Sequence, residues 1–209
     1  ILDHKPYERM LKAVSNIMSK TKHKFKFVDL GGGMGISYSD KIKKLNYKKY
    51  NSAIKNFLKK HKTKIIFEPG RSIIGNTGTL ISKIIYIKDG GAKKFIILDA
   101  AMNDQVRPSM YGAYHDIVPV NEPAKDYGSE LVYDIVGPIC ETGDFLALDR
   151  RIDKVNSNDL LAIRTTGAYS SVMKSNYNAR KDAIEVMVYN EKEFQIKKKR
   201  TDSKTAIFG

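Results

Sequence analysis

The sequence predicts an α/β segment followed by an all-β segment, and three observations lead there. Up to Gly78, amphipathic stretches with helical spacing alternate with short apolar runs that end in glycine- or proline-bearing turns. Beyond Gly78, β-branched and apolar runs succeed one another, parted by turns such as Asp89-Gly90-Gly91. Chemically distinctive residues stand just past the carboxyl ends of the early runs, where α/β frameworks carry their sites. Residues 1–78 and 79–209 are therefore expected to form separate domains.

From Pro6 to about Lys20, Tyr7, Met10, Leu11, Val14, Ile17 and Met18 recur at three- and four-residue spacing, with proline in the first turn of the predicted helix. Phe25 to Leu30 reads as a buried strand running into Gly31-Gly32-Gly33. A second helix from Tyr47 carries Tyr47, Tyr50, Ile54, Phe57, Leu58 and His61 on one stripe, and Lys64 to Glu68 is the next strand. This alternation is the layout of a β/α barrel or a doubly wound sheet. Strands are then expected over Leu80–Ile87, Lys94–Asp99, Leu131–Val136, Phe145–Asp149, Leu160–Thr165 and Ile184–Tyr189, as a sandwich or barrel. The basic run from Lys197 to Arg200 is expected to be solvated.

Composition narrows the function classes. No apolar run approaches the length of a membrane span, so no membrane partner is expected. A single cysteine, Cys140, excludes an internal disulfide and suits a reducing compartment such as the cytoplasm. No signal-peptide pattern opens the chain at Ile1, and no His/Cys cluster has metal-ligand spacing. The net charge of +14 raises nucleic acid as a partner. Between Lys20 and Lys64, however, fourteen lysines face only Asp29 and Asp40, with no arginine and no aromatic interleaving. A solvated lysine surface is the expectation, with no nucleic-acid partner.

Five stretches carry chemistry. Val136 to Asp144 sets the thiol of Cys140 beside Glu141 on a turn bent by Pro138 and Gly143; such a thiol can serve as an acid or simply as a small hydrophobe. Gly31-Gly32-Gly33 lets backbone N–H groups approach an anion, and is also what a plain tight turn would use; it is not a dinucleotide fingerprint. In Glu68-Pro69-Gly70-Arg71 the two charges can pair with each other, or the carboxylate can hold a protonated heterocyclic nitrogen while the guanidinium forks onto a carboxylate. Arg107 and Tyr111 would grip a carboxylate together if their segment is helical, and a structural loop ended by Pro108 would use the same stretch. Tyr169, in Gly167-Ala168-Tyr169, follows a strand at a flexible turn.

Taken jointly, Val28 to Ile36, Glu68 to Arg71, Met102 to His115, Cys140 to Asp144, and Gly167 to Tyr169 with Met173, Ser175, Tyr177 and Asn178 resemble the diaminopimelate decarboxylases. These are pyridoxal-phosphate decarboxylases with an alanine racemase-like barrel, and the resemblance runs over nearly the whole chain in the family's order. It implies a partial (β/α)8 barrel followed by a β-sandwich or β-barrel domain. It also implies decarboxylation of meso-diaminopimelate to L-lysine and CO2, with pyridoxal 5'-phosphate as cofactor and a homodimer whose active sites are shared.

By the same resemblance, Gly33, Gly70 and Arg71 hold the cofactor phosphate, Glu68 pairs with the ring nitrogen, and Tyr169 lies at cofactor and substrate. Arg71, Arg107 and Tyr111 bind the distal carboxylate and Glu141 the distal amine, while Cys140 is the acid that returns a proton to carbon. Met34 and Thr142 depart mildly from the pattern, standing where leucine and serine are usual. The family's Schiff-base lysine and ring-stacking histidine have no counterpart. The expectation is thus a carboxyl-terminal portion of the enzyme, inactive and poorly folding alone. Two alternatives are an ornithine- or arginine-type decarboxylase, which has no use for Arg107 beside a distal amine, and a non-catalytic regulatory relative.

Overall fold

A computed structural model describes residues 1–21, 23–39, 42, 44–121 and 131–196; the basic run at 197–200 lies outside them. Pro6 stands in the first turn of α1 (Lys5–Lys20), where its missing N–H costs nothing. Tyr7, Leu11 and Ser15 form the buried stripe, flanked by Met10, Val14 and Met18. Ile17, expected on that stripe, is 66% exposed, because it stands about 120° around the helix from Leu11.

Asn46 caps α2 (Tyr47–His61) by accepting the Lys49 N–H at 3.0 Å, and Lys62 closes it in the left-handed conformation. Tyr50, Ile54 and Phe57 face α1, whereas Tyr47 is exposed. Ser15 ties the two helices: its hydroxyl bonds His61 Nε2 at 2.7 Å and accepts from Lys60 Nζ at 2.8 Å. His61 is thus a partly covered helix residue, as the sequence suggested, and no metal-binding cluster occurs among the described residues.

Strands β1 (Phe27–Asp29) and β2 (Lys64–Ile66) pair in parallel and are shorter than expected. The expectation of a buried strand at 25–30 is corrected here: Val28 packs into the helical core, but Phe27 is 47% exposed. Alternate side chains point to opposite faces, and α1 and α2 cover only one of them. After β2 come α3 (Gly70–Ile74) and a single 3₁₀ turn at Gly75–Thr77.

The larger sheet has six strands in the order β5-β8-β3-β4-β6-β7. They are β3 (Thr79–Asp89), β4 (Lys94–Leu98), β5 (Ile117–Pro119), β6 (Leu131–Val136), β7 (Phe145–Ile152) and β8 (Leu160–Arg164). β3 is the long member: Thr79–Lys83 pair with β8, and after an irregularity at Ile84/Tyr86 the rest pairs with β4. At this bend the Asp99 carboxylate accepts from Ser82 Oγ at 2.6 Å and Lys83 N–H at 2.8 Å. β4 and β6 are parallel, so a crossover must join them. That crossover contains α4 (Arg107–Tyr111) and β5. Ile84, Ile96, Leu98, Ile135, Leu161 and Ile163 are wholly buried in this sheet's core.

A short α5 (Ser170–Met173) follows, and β9 (Val186–Val188) and β10 (Phe194–Ile196) form a separate exposed hairpin. Among the described residues no helix is long and apolar enough to cross a membrane.

Candidate functional site

The parallel pairing of β1 with β2 delivers their two following turns side by side. Leu30 N–H donates to Ile66 O at 3.1 Å, and Glu68 N–H donates to Gly31 O at 2.9 Å. A Cβ on Gly32 would run into the Glu68 carbonyl oxygen, so the turns close only with glycine there. Gly33 adopts a φ of 76°, the region where a side chain is disfavoured. Gly70 has open space where a Cβ would stand, although its own N–H donates to Glu68 O at 2.9 Å. Glu68 is exposed, and its carboxylate makes no hydrogen bond or ion pair among the described residues. Glu68 and Arg71 do not pair with each other; the Arg71 guanidinium lies over the Tyr169 ring, 4.9 Å from its centroid.

Tyr169 reaches that position because the turn after β8 is docked onto the end of α3. Thr166 N–H donates to Gly78 O at 2.9 Å and Gly167 N–H to Gly75 O at 3.1 Å. Tyr169 itself takes a left-handed φ of 70°. Its ring also meets Arg107, whose guanidinium carbon is 5.9 Å from the centroid. Two cations therefore share one aromatic ring, residues from three separate elements brought to one place.

Arg107 opens α4, with Pro108 in the first turn and Gly112 closing it in the left-handed conformation. The helical condition for Arg107 and Tyr111 to act together is met. Arg107 is buried, and its Nη1 donates to Tyr38 Oη at 3.0 Å and to His115 Nε2 at 2.9 Å. His115 is wholly buried. Its Nδ1 faces the Arg164 carbonyl at 3.0 Å, which fixes the proton on Nδ1 and leaves Nε2 as acceptor. Burial, opposed by the Arg164 carbonyl and reinforced by the charges of Arg107 and Arg150, pushes the His115 pKa down to about 4. The imidazole is neutral at physiological pH.

Tyr38, Ile42, Arg71, Arg107, Tyr111, Ala113, Tyr114, Tyr169 and Met173 line one cavity of about 480 Å³. Among the described residues, no Asp or Glu stands on these walls, and the two guanidinium groups have no acidic partner there. Such a cavity has the chemistry to accept an anion, and the forked donors of arginine suit a carboxylate.

Cys140 and Glu141 do not line it. They sit on the turn between β6 and β7, where Cys140 is exposed. Asp144, buried at 4% exposure, shapes that turn by accepting from Ile139 N–H and Met102 N–H, both at 2.7 Å. Ser109, on α4, donates to the Gly143 carbonyl, so the thiol-bearing turn is latched to the helix that carries Arg107. Glu141 accepts from Gly143 N–H at 3.1 Å and from Tyr177 Oη at 3.4 Å.

The structure thus gathers Arg71, Arg107, Tyr111 and Tyr169, sets Gly33, Glu68 and Gly70 on adjoining turns, and leaves Cys140 and Glu141 apart. Sequence reasoning missed Tyr38 as a wall of the cavity, and the supporting roles of His115 and Asp144. His115 carried one usable signal, a lone histidine within a stretch otherwise rich in site residues; Tyr38 carried none.

Residues 11–167 match the family model described as pyridoxal-dependent decarboxylase, C-terminal sheet domain. The chain is similar to the diaminopimelate decarboxylase of Aquifex aeolicus, 49% identical over 193 residues that cover 91% of this chain and 45% of the relative. It is 43% identical to the diaminopimelate decarboxylase of Zymomonas mobilis, over 96% of this chain and 48% of the relative. The crystal structure of diaminopimelate decarboxylase from Helicobacter pylori complexed with L-lysine superposes with a TM-score of 0.84 at 34% identity, over 94% of this chain and 48% of that one. The chain spans about half the length of the relatives it matches. The expected architecture, part of an α/β barrel and then a sheet domain, is that of the corresponding half of these proteins.

Proposed function

Because the chain belongs to the pyridoxal-dependent decarboxylases, through their C-terminal sheet domain, we propose that its protein converts meso-diaminopimelate to L-lysine and CO2 with pyridoxal 5'-phosphate. The observation that carries this reading is the cavity where Arg71 and Arg107 flank Tyr169 with no acidic wall among the described residues. A substrate with a second carboxylate, far from the one that leaves, is what two uncompensated guanidinium groups select. An ornithine- or arginine-type substrate would bring a distal cation to the same place and be repelled.

The residues present fit the cofactor. The left-handed turn at Gly33 and the open space at Gly70, beside Arg71, suit a phosphate, and the unengaged Glu68 carboxylate suits a protonated ring nitrogen. When bound, pyridoxal phosphate supplies the electron sink for the pair left behind by CO2. Glu68 would keep the ring nitrogen protonated, and Tyr169 would lie at cofactor and substrate. Arg71, Arg107 and Tyr111 hold the distal carboxylate and Glu141 the distal ammonium. Cys140 would donate its thiol proton to the carbon that lost the carboxylate.

Cys140 and Glu141 are exposed on this chain and lie outside the cavity. A homodimer in which each subunit lends this turn to its neighbour's site accounts for that placement. We assign residues 1–78 to the barrel and 79–209 to the β-rich domain, and the working compartment to the cytoplasm.

The test uses the full-length protein. Wild type should release CO2 and L-lysine from meso-diaminopimelate. Cys140→Ala should keep the cofactor's absorbance and slow turnover by about 100-fold. Turnover of ornithine with none of meso-diaminopimelate would overturn the substrate assignment, and undiminished turnover by Cys140→Ala would remove the thiol from its role.

A further inference from the structure

A guanidinium grips a carboxylate best along one edge. Nη1 stands on the Cδ side, and the opposite edge carries Nε–H and one N–H of Nη2 in parallel, matched to the two carboxylate oxygens. In Arg107 both protons of Nη1 are already committed, one to Tyr38 Oη at 3.0 Å and one to His115 Nε2 at 2.9 Å. Among the described residues, neither Nε nor Nη2 of Arg107 makes a hydrogen bond, and the side chain lines the cavity. The forked edge is therefore left open to a ligand.

We propose that His115 is a positioning residue for carboxylate recognition: as a neutral acceptor it fixes Arg107 with its Nε–Nη2 edge turned to the cavity. The inference rests on the reading that Arg107 receives the distal carboxylate, and names what makes that arginine fit to do so.

Three features show that the acceptor is built in. His115 is wholly buried, so no water competes for Nε2. The Arg164 carbonyl takes the Nδ1 proton at 3.0 Å and thereby sets the tautomer. Gln105, also wholly buried, aims its Nε2 at the same ring nitrogen from 3.3 Å, so His115 Nε2 is met by donors from two sides. Tyr38 completes the holder. Its ring lies 4.9 Å from the Arg107 guanidinium carbon and edge-on to the imidazole at 5.2 Å. A charged imidazole would turn an N–H toward Arg107 and break the arrangement, which agrees with its depressed pKa.

The experiment compares two ligands on the full-length holoenzyme: L-lysine, which has a carboxylate, and cadaverine, which is the same chain without one. His115→Phe, which keeps a ring but has no acceptor, should weaken L-lysine about tenfold and leave cadaverine within about twofold. His115→Gln, whose amide oxygen can accept from Arg107, should recover most of that loss. Tyr38→Phe should weaken L-lysine about threefold, again sparing cadaverine. A residue that merely supports the fold would weaken both ligands alike.

Equal weakening of both, or L-lysine affinity unchanged in His115→Phe, overturns the proposal. If His115→Phe does not fold, Tyr38→Phe decides by the same ligand ratio. Wild type that binds L-lysine no better than cadaverine would remove the proposed function along with this inference. A normal wild-type preference that survives in every variant removes the inference alone.

Discussion

The two cores of this molecule differ in how completely they are covered. In the six-stranded sheet, Ile84, Ile96, Leu98, Ile135, Leu161 and Ile163 are all at 0% exposure. In the α/β part, two helices cover one face of a two-stranded sheet, and Phe27, Ile66, Phe67, Ile73 and Ile74 remain exposed. The candidate site straddles this difference. Arg107 and His115 are held by the covered region, Arg71 and Glu68 by the open one. Within residues 1–209, positional precision should therefore be unequal across the cavity, because a side chain is held only as firmly as the packing behind it.

The sharpest way to break the comparison is a pair of truncations in the full-length protein. Ile135→Ala removes a wholly buried side chain and should cost about 3 to 4 kcal/mol in denaturant unfolding. Phe27→Ala, at 47% exposure within residues 1–209, should cost under about 1 kcal/mol where nothing else in the full-length protein covers that face. Equal costs would show that Phe27 is covered in the full-length protein and that the asymmetry is local to this chain.

Acid should act on the covered side. The His115 pKa falls from its ordinary 6.5 to about 4, so between those values the unfolded chain binds a proton that the folded one refuses. The stability His115 contributes is whole above pH 6.5 and is lost progressively toward pH 4, by up to about 3 kcal/mol. Unfolding midpoints measured from pH 7 to pH 4 should thus fall more steeply in wild type than in His115→Gln. Parallel slopes would show that the ring is not held neutral.

The smallest effect belongs to the open side. Asn46→Ala deletes the α2 cap, a bond of 3.0 Å to the Lys49 N–H, and should cost about 1 kcal/mol. Amide exchange should rise in the first turn of α2 and stay unchanged in β3 and β4. Faster exchange in the sheet would mean that the two cores unfold together.

Much of this was legible in the sequence. Pro6 with the spacing of Tyr7 and Leu11 marked α1, and the runs that became β3, β4, β6 and β8 were fixed by β-branched residues between turns. Their ends were less legible: β7 runs on to Ile152, past Asp149, because pairing with Leu131 extends it. β5 and β10 escaped notice, since three residues containing Pro119 or flanked by polar side chains carry no periodicity. Among the candidate site residues, Arg71, Arg107, Tyr111 and Tyr169 stood in recognisable motifs. Asp144 stood in one too, yet its work of accepting Met102 N–H and Ile139 N–H depends on a loop far away in the chain.

By itself the sequence determined which side chains are chemically able to act and which local segments are helix or strand, because both follow from residue type and spacing over a few neighbours. Only the tertiary structure decided that Arg71 and Arg107 meet on one tyrosine ring and that a buried histidine takes up one nitrogen of Arg107. Those facts depend on the β4–β6 crossover and on the turn after β8 docking against α3. Such long-range packing sets distances, burial and proton placement that no local pattern encodes.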